Sequence, residues 1–242
     1  RLRDDWSPEQ IAGTLRRRYP PGHRMRISHE SIYKSVFIQS RGVLPKDLQR
    51  HLRTRRPIRR SVHNTVAGQW RSRIIDAVSI SQRPGIVDER VEIGHWEGDL
   101  VCGRHWSQCA TLVERVTGYT VLVQLDNREA GTLTTALEQV MNRLPGQVRR
   151  TLTWDRGMEL AGHKQVSTTT GMRVYFADPH SPWQRGTNEN TNGLLRQYFP
   201  KGTSMAGLTQ TDLDAVADKL NTRPRKRLGY RSPADMMAPL LH

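Results

Sequence analysis

Three acidic residues stand at positions where a folded chain could bring them together. They are Asp99 in GHWEGDLV, Asp155 in LTWDRG and Glu189 in SPWQRGTNEN. Asp99 lies in an alternating, strand-like run, Asp155 directly follows a short apolar piece, and Glu189 opens a helical segment after a Pro/Gly-rich loop. Carboxylate oxygens are ligands that Mg²⁺ prefers. Two such ions about 3.5–4 Å apart can activate an attacking oxygen and stabilise a leaving oxygen in phosphodiester chemistry. Each acid alone is typical of a solvated surface, whereas the three together predict a two-metal site.

The chain is strongly basic. Its 242 residues include 38 Lys+Arg and 23 Asp+Glu, a formal net charge of +15. This excess favours a polyanionic partner such as DNA, because each neutralised phosphate releases condensed counterions; an anionic membrane surface is the alternative. We find no apolar run near the roughly 20 residues that span a bilayer, no signal peptide and no lipidation motif. Two cysteines cannot form a disulfide framework. We therefore expect a cytosolic protein without a membrane partner.

Residues 1–40 are predicted to form an all-α piece that resembles a helix-turn-helix. Ser7–Gln10 combines a capping residue, a first-turn proline and a Gln at the capping-box position. Ile11 and Leu15 then share one helical face, and Ser28 can cap a second helix. Two short helices with arginines nearby are typical of a DNA reader. An ordinary helical hairpin with a solvated basic face fits the pattern equally well.

Residues 41–87 are predicted to be a basic linker. A block of like charges usually forms a disordered or extended arm, and nothing acidic nearby neutralises this one. We therefore expect the arm to follow DNA phosphates. Six of its arginines fall within eleven positions: Arg50, Arg53, Arg55, Arg56, Arg59 and Arg60.

Residues 88–242 are predicted to form an α/β domain with a mixed sheet. The first strand surrounds Asp99, and the runs 110–116 and 119–125 form a hairpin around Thr117-Gly118. A helix over 132–144, short strands at 150–154 and 173–176, and the Glu189 helix follow. This order can place Asp99 and Asp155 on neighbouring strands, with the Glu189 helix packed across them. Glu97 competes with Asp99 as a ligand, and the strand-end position favours Asp99.

The motifs resemble those of DDE transposases of bacterial insertion sequences, of the IS-thirty (IS30) family. The similar stretches are WSPEQIAG, SHESIYKS, GHWEGDLV, TWDRGMEL, SPWQRGTNENTNGLLRQYFPKG and LNTRPRKRLGYRSPADMM. Thirty-three residues lie between Asp155 and Glu189, the gap associated with this family. The resemblance implies a ribonuclease-H-like, retroviral-integrase-like core flanked by helices. Family members usually carry a further amino-terminal helix-turn-helix, and this sequence begins at what resembles the second.

The resemblance also implies a function. Asp99, Asp155 and Glu189 become a catalytic triad that binds two Mg²⁺ ions, with Mn²⁺ as a possible substitute. The expected reaction is cleavage and strand transfer at the ends of an insertion sequence. The expected partners are double-stranded DNA of the transposon ends and target, and further copies of the chain on that DNA. The expected location is the bacterial cytoplasm, at the nucleoid.

Four residues near Glu189 are candidate DNA contacts. Arg196 lies seven residues after Glu189, two turns along the same helical face, where it could contact phosphate or simply be solvated. Asn192 could bond DNA or cap the helix. Trp183 could stack on a base or pack under its loop, in which Arg185 is a further candidate.

Two other functions remain open at this point. One is a structure-specific nuclease of the same fold, such as a ribonuclease H or junction nuclease, against which the basic arm and the helical piece argue. The other is a catalytically compromised or truncated DNA-binding remnant or regulator, against which the presence of all three acids argues.

Overall fold

The computed structural model describes residues 1–37, 74–104, 107–125, 127, 129–179 and 181–241. The described chain divides into two compact units: residues 1–37 with Arg223–Ser232 form one, and residues 74–222 with 233–241 form the other. The predicted domain boundaries at residues 40 and 87 stay predictions. The six clustered arginines of the predicted arm lie outside the described residues: Arg50, Arg53, Arg55, Arg56, Arg59 and Arg60.

The first unit contains the two helices expected near the amino-terminal end of the sequence. Helix α1 (Pro8–Arg18) begins with a full capping box, in which the Ser7 backbone N–H donates to Gln10 Oε1 at 2.8 Å and the Gln10 backbone N–H donates to Ser7 Oγ at 3.2 Å. Helix α2 (His29–Phe37) is preceded by Ser28, whose hydroxyl accepts from the Ser31 backbone N–H at 3.0 Å. Residues 19–28 connect the helices, a longer connection than the three or four residues of a compact helix-turn-helix. The helix pair is confirmed, and its use in reading DNA stays a prediction.

The second unit is built on a five-stranded sheet among the described residues, with strand order β3-β2-β1-β4-β5. Strand β2 is antiparallel to β1 and β3, whereas β4 is parallel to β1 and β5. The predicted α/β class with a mixed sheet is therefore confirmed. The elements of this unit in chain order are α3 (Ile86–Glu89), β1 (His95–Cys102), β2 (Gln108–Glu114), β3 (Thr120–Leu125), α4 (Ala130–Asn142), β4 (Thr151–Trp154), α5 (His163–Thr170), β5 (Arg173–Phe176), α6 (Gly186–Leu195), α7 (Gln210–Asn221) and α8 (Pro233–Met237).

Each face of the sheet buries a separate apolar cluster. One cluster joins Trp96, Leu112 and Trp154 of the sheet to α4 and α5, and the other joins Val101 and Leu122 to α6 and α7. Successive side chains of a strand point to opposite faces. Residues 97, 99 and 101 of β1 therefore point to the face that carries α6 and α7. This alternation directs Asp99 toward the helix that carries Glu189.

Three details differ from the sequence-based predictions. Strand β1 starts at His95, after Gly94 with a φ of 113°, so the apolar residues Val91 and Ile93 precede it. Helix α6 packs on β1 and β2, not across the β1–β4 pair, for a reason given below. Helix α7 was not predicted at all. None of the helices within the described ranges is long and apolar enough to cross a membrane.

Candidate active site

Asp99 and Asp155 meet because β1 and β4 are adjacent parallel strands. Their register pairs His95 with Thr151 and Glu97 with Thr153. Continued by two residues, the same register sets Asp99 beside Asp155, which follows the last residue of β4. Both side chains leave the sheet on the α6 face, since each lies an even number of residues beyond Glu97 or Thr153. The predicted neighbourhood of the two aspartates is thus present.

Arg185, just before α6, lies between the two aspartates. Its Nη1 is 3.3 Å from Asp99 Oδ1 and its Nη2 is 3.3 Å from Asp155 Oδ2. Nη1 also donates to the Gly98 carbonyl oxygen at 2.9 Å. Its side chain is only 15% exposed, against 30% for Asp99 and 38% for Asp155. One guanidinium therefore balances two carboxylates, and the sequence-based prediction of Arg185 as a DNA contact missed this role.

Burial raises the pKa of Asp99 above its ordinary value. The Arg185 cation opposes that rise, whereas the negative charge of Asp155 adds to it. The negative charge of Asp155 is thus close enough to act on Asp99. A cation placed between them would relieve both the burial cost and the repulsion.

Gly98 of β1 leaves room for the indole ring of Trp154, which belongs to the neighbouring strand β4. A Cβ atom at this position would lie 2.0 Å from Cζ3 of Trp154, so no other residue fits without moving the indole. Trp154 is itself fully buried on the opposite face from the aspartates. Packing of this pair fixes β1 against β4 directly beside Asp99 and Asp155.

Helix α6 is anchored to the sheet through Asn188. Its amide nitrogen donates to the carbonyl oxygens of Glu97, at 2.9 Å, and Thr111, at 3.2 Å. The Asn188 backbone N–H donates to Glu97 Oε2 at 2.8 Å, where a carboxylate also suits the positive end of the helix. Because Glu97 is on β1 and Thr111 is on β2, these bonds explain why α6 packs on that pair of strands.

Glu97 is consequently a structural residue and not a rival ligand. It is fully buried, and its other carboxylate oxygen pairs with the Arg115 guanidinium. Burial lowers the pKa of Arg115, and the Glu97 charge partly restores it. Arg115 also reaches Asp88 of α3 at 3.3 Å. The sequence placed Glu97 on the correct face, but nothing in its spacing revealed a partner on the next strand.

Glu189 lies in the first turn of α6, exposed to solvent and without a recorded side-chain partner in the described structure. Asn192, three residues later on the same helical face, donates from Nδ2 to Asp99 Oδ2 at 2.8 Å. Arg185, four residues earlier, also reaches Asp99. Glu189 is therefore flanked by two residues that contact the aspartates, although it does not itself touch them.

Glu159 is an acid that the sequence did not associate with the site. Two cations near it in the sequence, Arg156 and Lys164, bind Asp178 and Asp76 respectively. Burial and the neighbouring charge of Asp155 raise the pKa of Glu159 instead. The sequence indicated this proximity in one way: Glu159 follows Asp155 by four residues, across a tight turn.

The remaining predicted DNA contacts are distributed around α6. Trp183 is 71% exposed in the turn before the helix. Arg196 ends the helix, and its Nη1 donates to the Phe199 and Cys102 carbonyl oxygens at 3.3 and 3.4 Å. Asn192 keeps its amide oxygen without a recorded partner while its nitrogen binds Asp99. Trp183 thus offers an open ring, whereas Arg196 is partly occupied by the backbone.

The donor set suits a hard divalent cation. No three His, Cys, Asp or Glu side chains already form a metal cluster within the described ranges. Asp99 and Asp155 nevertheless place carboxylate oxygens around one shared cation, the Arg185 guanidinium, next to the unpaired Asn192 oxygen. Aspartate oxygens are ligands that Mg²⁺ accepts. These two residues could hold a metal, and Glu189 is the nearest additional carboxylate on α6.

Comparisons with known proteins agree with this geometry. The integrase core domain family matches residues 90–182, which include Asp99 and Asp155 and end before Glu189. The chain is 47% identical over 238 residues to "Transposase InsI for insertion sequence element IS30A" of Escherichia coli, covering 98% of the chain and 62% of that protein. It is 44% identical over 241 residues to "Transposase for insertion sequence element IS1086" of Cupriavidus metallidurans, covering 99% and 70%. The chain belongs to the IS30 family of insertion-sequence transposases.

A more distant relative within the same class extends the match along the whole sequence. The IS30-family chain is 35% identical to "Transposase for insertion sequence element IS4351" of Bacteroides fragilis, covering 100% of the chain and 72% of the relative. The chain spans less than two thirds of the length of the Escherichia coli relative. The integrase-core match and the mixed sheet together confirm the predicted ribonuclease-H-like fold.

Proposed function

We propose that the chain is the catalytic part of a transposase that cleaves DNA at the ends of an insertion sequence and joins them to target DNA. The observation that carries this proposal is the pair Asp99 and Asp155, held under one guanidinium beside the helix of Glu189. Membership of a family of transposases supports it. The three acids would hold two Mg²⁺ ions, for which Mn²⁺ could substitute.

The bound ions would supply positive charge that activates the attacking oxygen and stabilises the leaving oxygen at phosphorus. The protein residues supply position and charge. Asp99 and Asp155 are fixed by the paired strands, and Asn192 orients Asp99 through the 2.8 Å hydrogen bond. Arg185 can exchange its carboxylate partners for phosphate oxygens, which a guanidinium also binds in a bidentate manner.

The proposed substrate is double-stranded DNA, in keeping with the net charge of +15. Trp183 is open for stacking on a base, and Arg196 and Asn192 extend the polar face of α6. The sequence-predicted arginines between residues 50 and 60 would follow the phosphates. Copies of the chain would assemble on the paired ends, in the bacterial cytoplasm at the nucleoid. Two of the relatives come from bacteria, which supports the bacterial part of this proposal.

The test is a cleavage and strand-transfer assay with end DNA and Mg²⁺. Asp99→Asn, Asp155→Asn and Glu189→Gln should each abolish both reactions while DNA binding stays nearly unchanged, because the metal is lost but the basic surface is kept. Asp214→Asn, at an exposed acid on α7, is the matched control and should retain full activity.

Two results would count against the proposal. Wild-type turnover by any of the three variants in Mg²⁺ would remove that residue from the proposed triad. Cleavage of branched or hybrid substrates without any strand transfer would identify a nuclease of the same fold.

A further inference from the structure

The first unit includes a segment from the opposite end of the sequence. Residues Arg223–Ser232, here called the basic loop, fold with α1. The loop closes on itself through the Arg225 backbone N–H, which donates to the Arg231 carbonyl oxygen at 2.9 Å. It then turns through Gly229 and Tyr230, whose φ values are 61° and 62°. A Tyr in this left-handed region is uncommon, so surrounding contacts must hold it.

The tyrosine ring occupies the place of a side chain on α1. Gly13 is buried in the middle of that helix, and a Cβ atom there would lie 2.1 Å from Cε1 of Tyr230. Glycine disfavours a helix interior, so its presence in α1 needs a reason. Close approach of the Tyr230 ring supplies that reason.

Two polar contacts join the same partners. Gln10 Nε2 donates to the Pro224 carbonyl oxygen at 2.8 Å, while Gln10 Oε1 serves the capping box. Lys226 Nζ is 2.9 Å from Glu9 Oε1. The first turn of α1 is therefore tied to the basic loop at two adjacent positions.

The loop also adds positive charge beside α1. Lys226 and Arg227 are exposed, as are Arg16, Arg17 and Arg18 in the last turn of the helix. The hydrogen bond and charge of Glu9 raise the pKa of Lys226, whereas Arg16 lowers it because the two cations lie near each other. Glu9 thus lies near cations of both the basic loop and the last turn of α1.

We propose that the basic loop is an integral third piece of the amino-terminal DNA-binding unit and that Lys226 and Arg227 contact the phosphates of the DNA that α1 and α2 bind. This rests on the proposed function only for the DNA contact, since the packing of Tyr230 on Gly13 is independent of any ligand. The sequence alone gives no sign that this loop packs on α1.

The packing is tested by hydrogen exchange in the full-length chain. Ala favours a helix over Gly, so Gly13→Ala would slow exchange in α1 if the space beside it were open. We expect the reverse: faster exchange in both α1 and the basic loop. Gly131→Ala in α4, where an added Cβ meets nothing within 4 Å, is the control and should leave both segments unchanged. In a Tyr230→Ala background, Gly13→Ala should instead slow exchange in α1.

The DNA contact is tested by a salt titration of the full-length chain on end DNA. Lys226→Gln with Arg227→Gln should flatten the slope of log K against log salt by up to about 2, because each duplex phosphate contact contributes about 0.9. The control pair is Arg143→Gln with Arg173→Gln, at exposed positions of the second unit.

The outcomes separate the two halves of the proposal. Slower exchange in α1 of Gly13→Ala alone would overturn the packing. A slope that falls no more than that of the control pair would overturn the phosphate contact. Absence of any DNA binding by the parent chain would defeat the proposed function and the contact together, and the exchange data would still decide the packing.

Discussion

At the residue scale, Asp99 and Asp155 bring two negative charges close together in a partly buried position, which should lower the stability of the fold. Asp99 is half-buried, faces Asp155 and has a raised pKa. The folded state therefore binds a proton more readily than the unfolded chain between the ordinary pKa and the raised one. The free energy of unfolding therefore decreases as the pH rises from the ordinary pKa to the raised one, and it remains lower at neutral pH.

Asp99→Asn should accordingly raise the Tm at pH 7 without Mg²⁺, although the proposed function predicts that the same variant loses activity. The difference in Tm from the parent should shrink as the pH is lowered toward the ordinary Asp value of about 3.9. Thermal unfolding at several pH values is the measurement, with Asp214→Asn as the control for loss of a negative charge. A variant no more stable than the parent at pH 7 would mean that Arg185 fully compensates the buried charge.

Sequence patterns located the candidate acids Asp99 and Asp155 but not their immediate partners. Asp99 and Asp155 could be located because strand-end acids are visible in the alternation of β1 and in the apolar run before Asp155. The position of Arg185 between the two aspartates could not be predicted from the sequence, because its ion pairs depend on how the turn before α6 packs over the sheet. The proximity of Glu159 to Asp155 was not predicted, because a sequence does not show how the turn between them folds.

At the element scale, the position of α6 depends on a buried ion pair. Arg115→Met would leave Glu97 as an uncompensated charge with 0% exposure, a change that typically costs about 3–5 kcal/mol. Adding Glu97→Gln should recover most of this loss, because a neutral amide can still accept the Asn188 backbone N–H. Urea unfolding of the single and double variants measures both effects.

Arg143→Met, at an exposed position, should stay within about 0.5 kcal/mol of the parent. A double variant as unstable as Arg115→Met alone would show that the arginine matters for its contacts with α3 and not for the charge of Glu97.

Elements with strong local signals were predicted well. The β2–β3 hairpin follows from Thr117-Gly118, and β5 matched its predicted range of residues. Helix α7 was overlooked although Leu213, Ala217 and Leu220 have helical spacing and Thr209 forms a capping box with Asp212. Its place against β3, which lies far away in sequence, could not have been inferred from that spacing.

At the scale of the whole molecule, the sequence-predicted arm should provide affinity and not specificity. A run of arginines can contact successive phosphates, but base recognition requires side chains that a rigid element holds in defined positions. Neutralising four of the arginines between residues 50 and 60 should flatten the slope of log K against log salt by up to about 3–4. Discrimination between end DNA and random DNA should barely change.

A salt titration of parent and variant on both DNAs makes this measurement. Loss of discrimination with an unchanged slope would indicate that the arm reads sequence. The contact between α1 and the basic loop could not be predicted in the same way, because its hydrogen bond joins residues 214 positions apart.

A mutation that truncates the chain before residue 223 would affect both units at once. The first unit draws Arg223–Ser232 from beyond the last strand of the sheet, so a reading frame broken anywhere before that point yields α1 without the ring that fills the space at Gly13. Such a shortened product would lack the segment that completes the first unit as well as α8 of the second. If the first unit binds DNA as we propose, damaged copies of the element would not produce dominant repressors of intact copies.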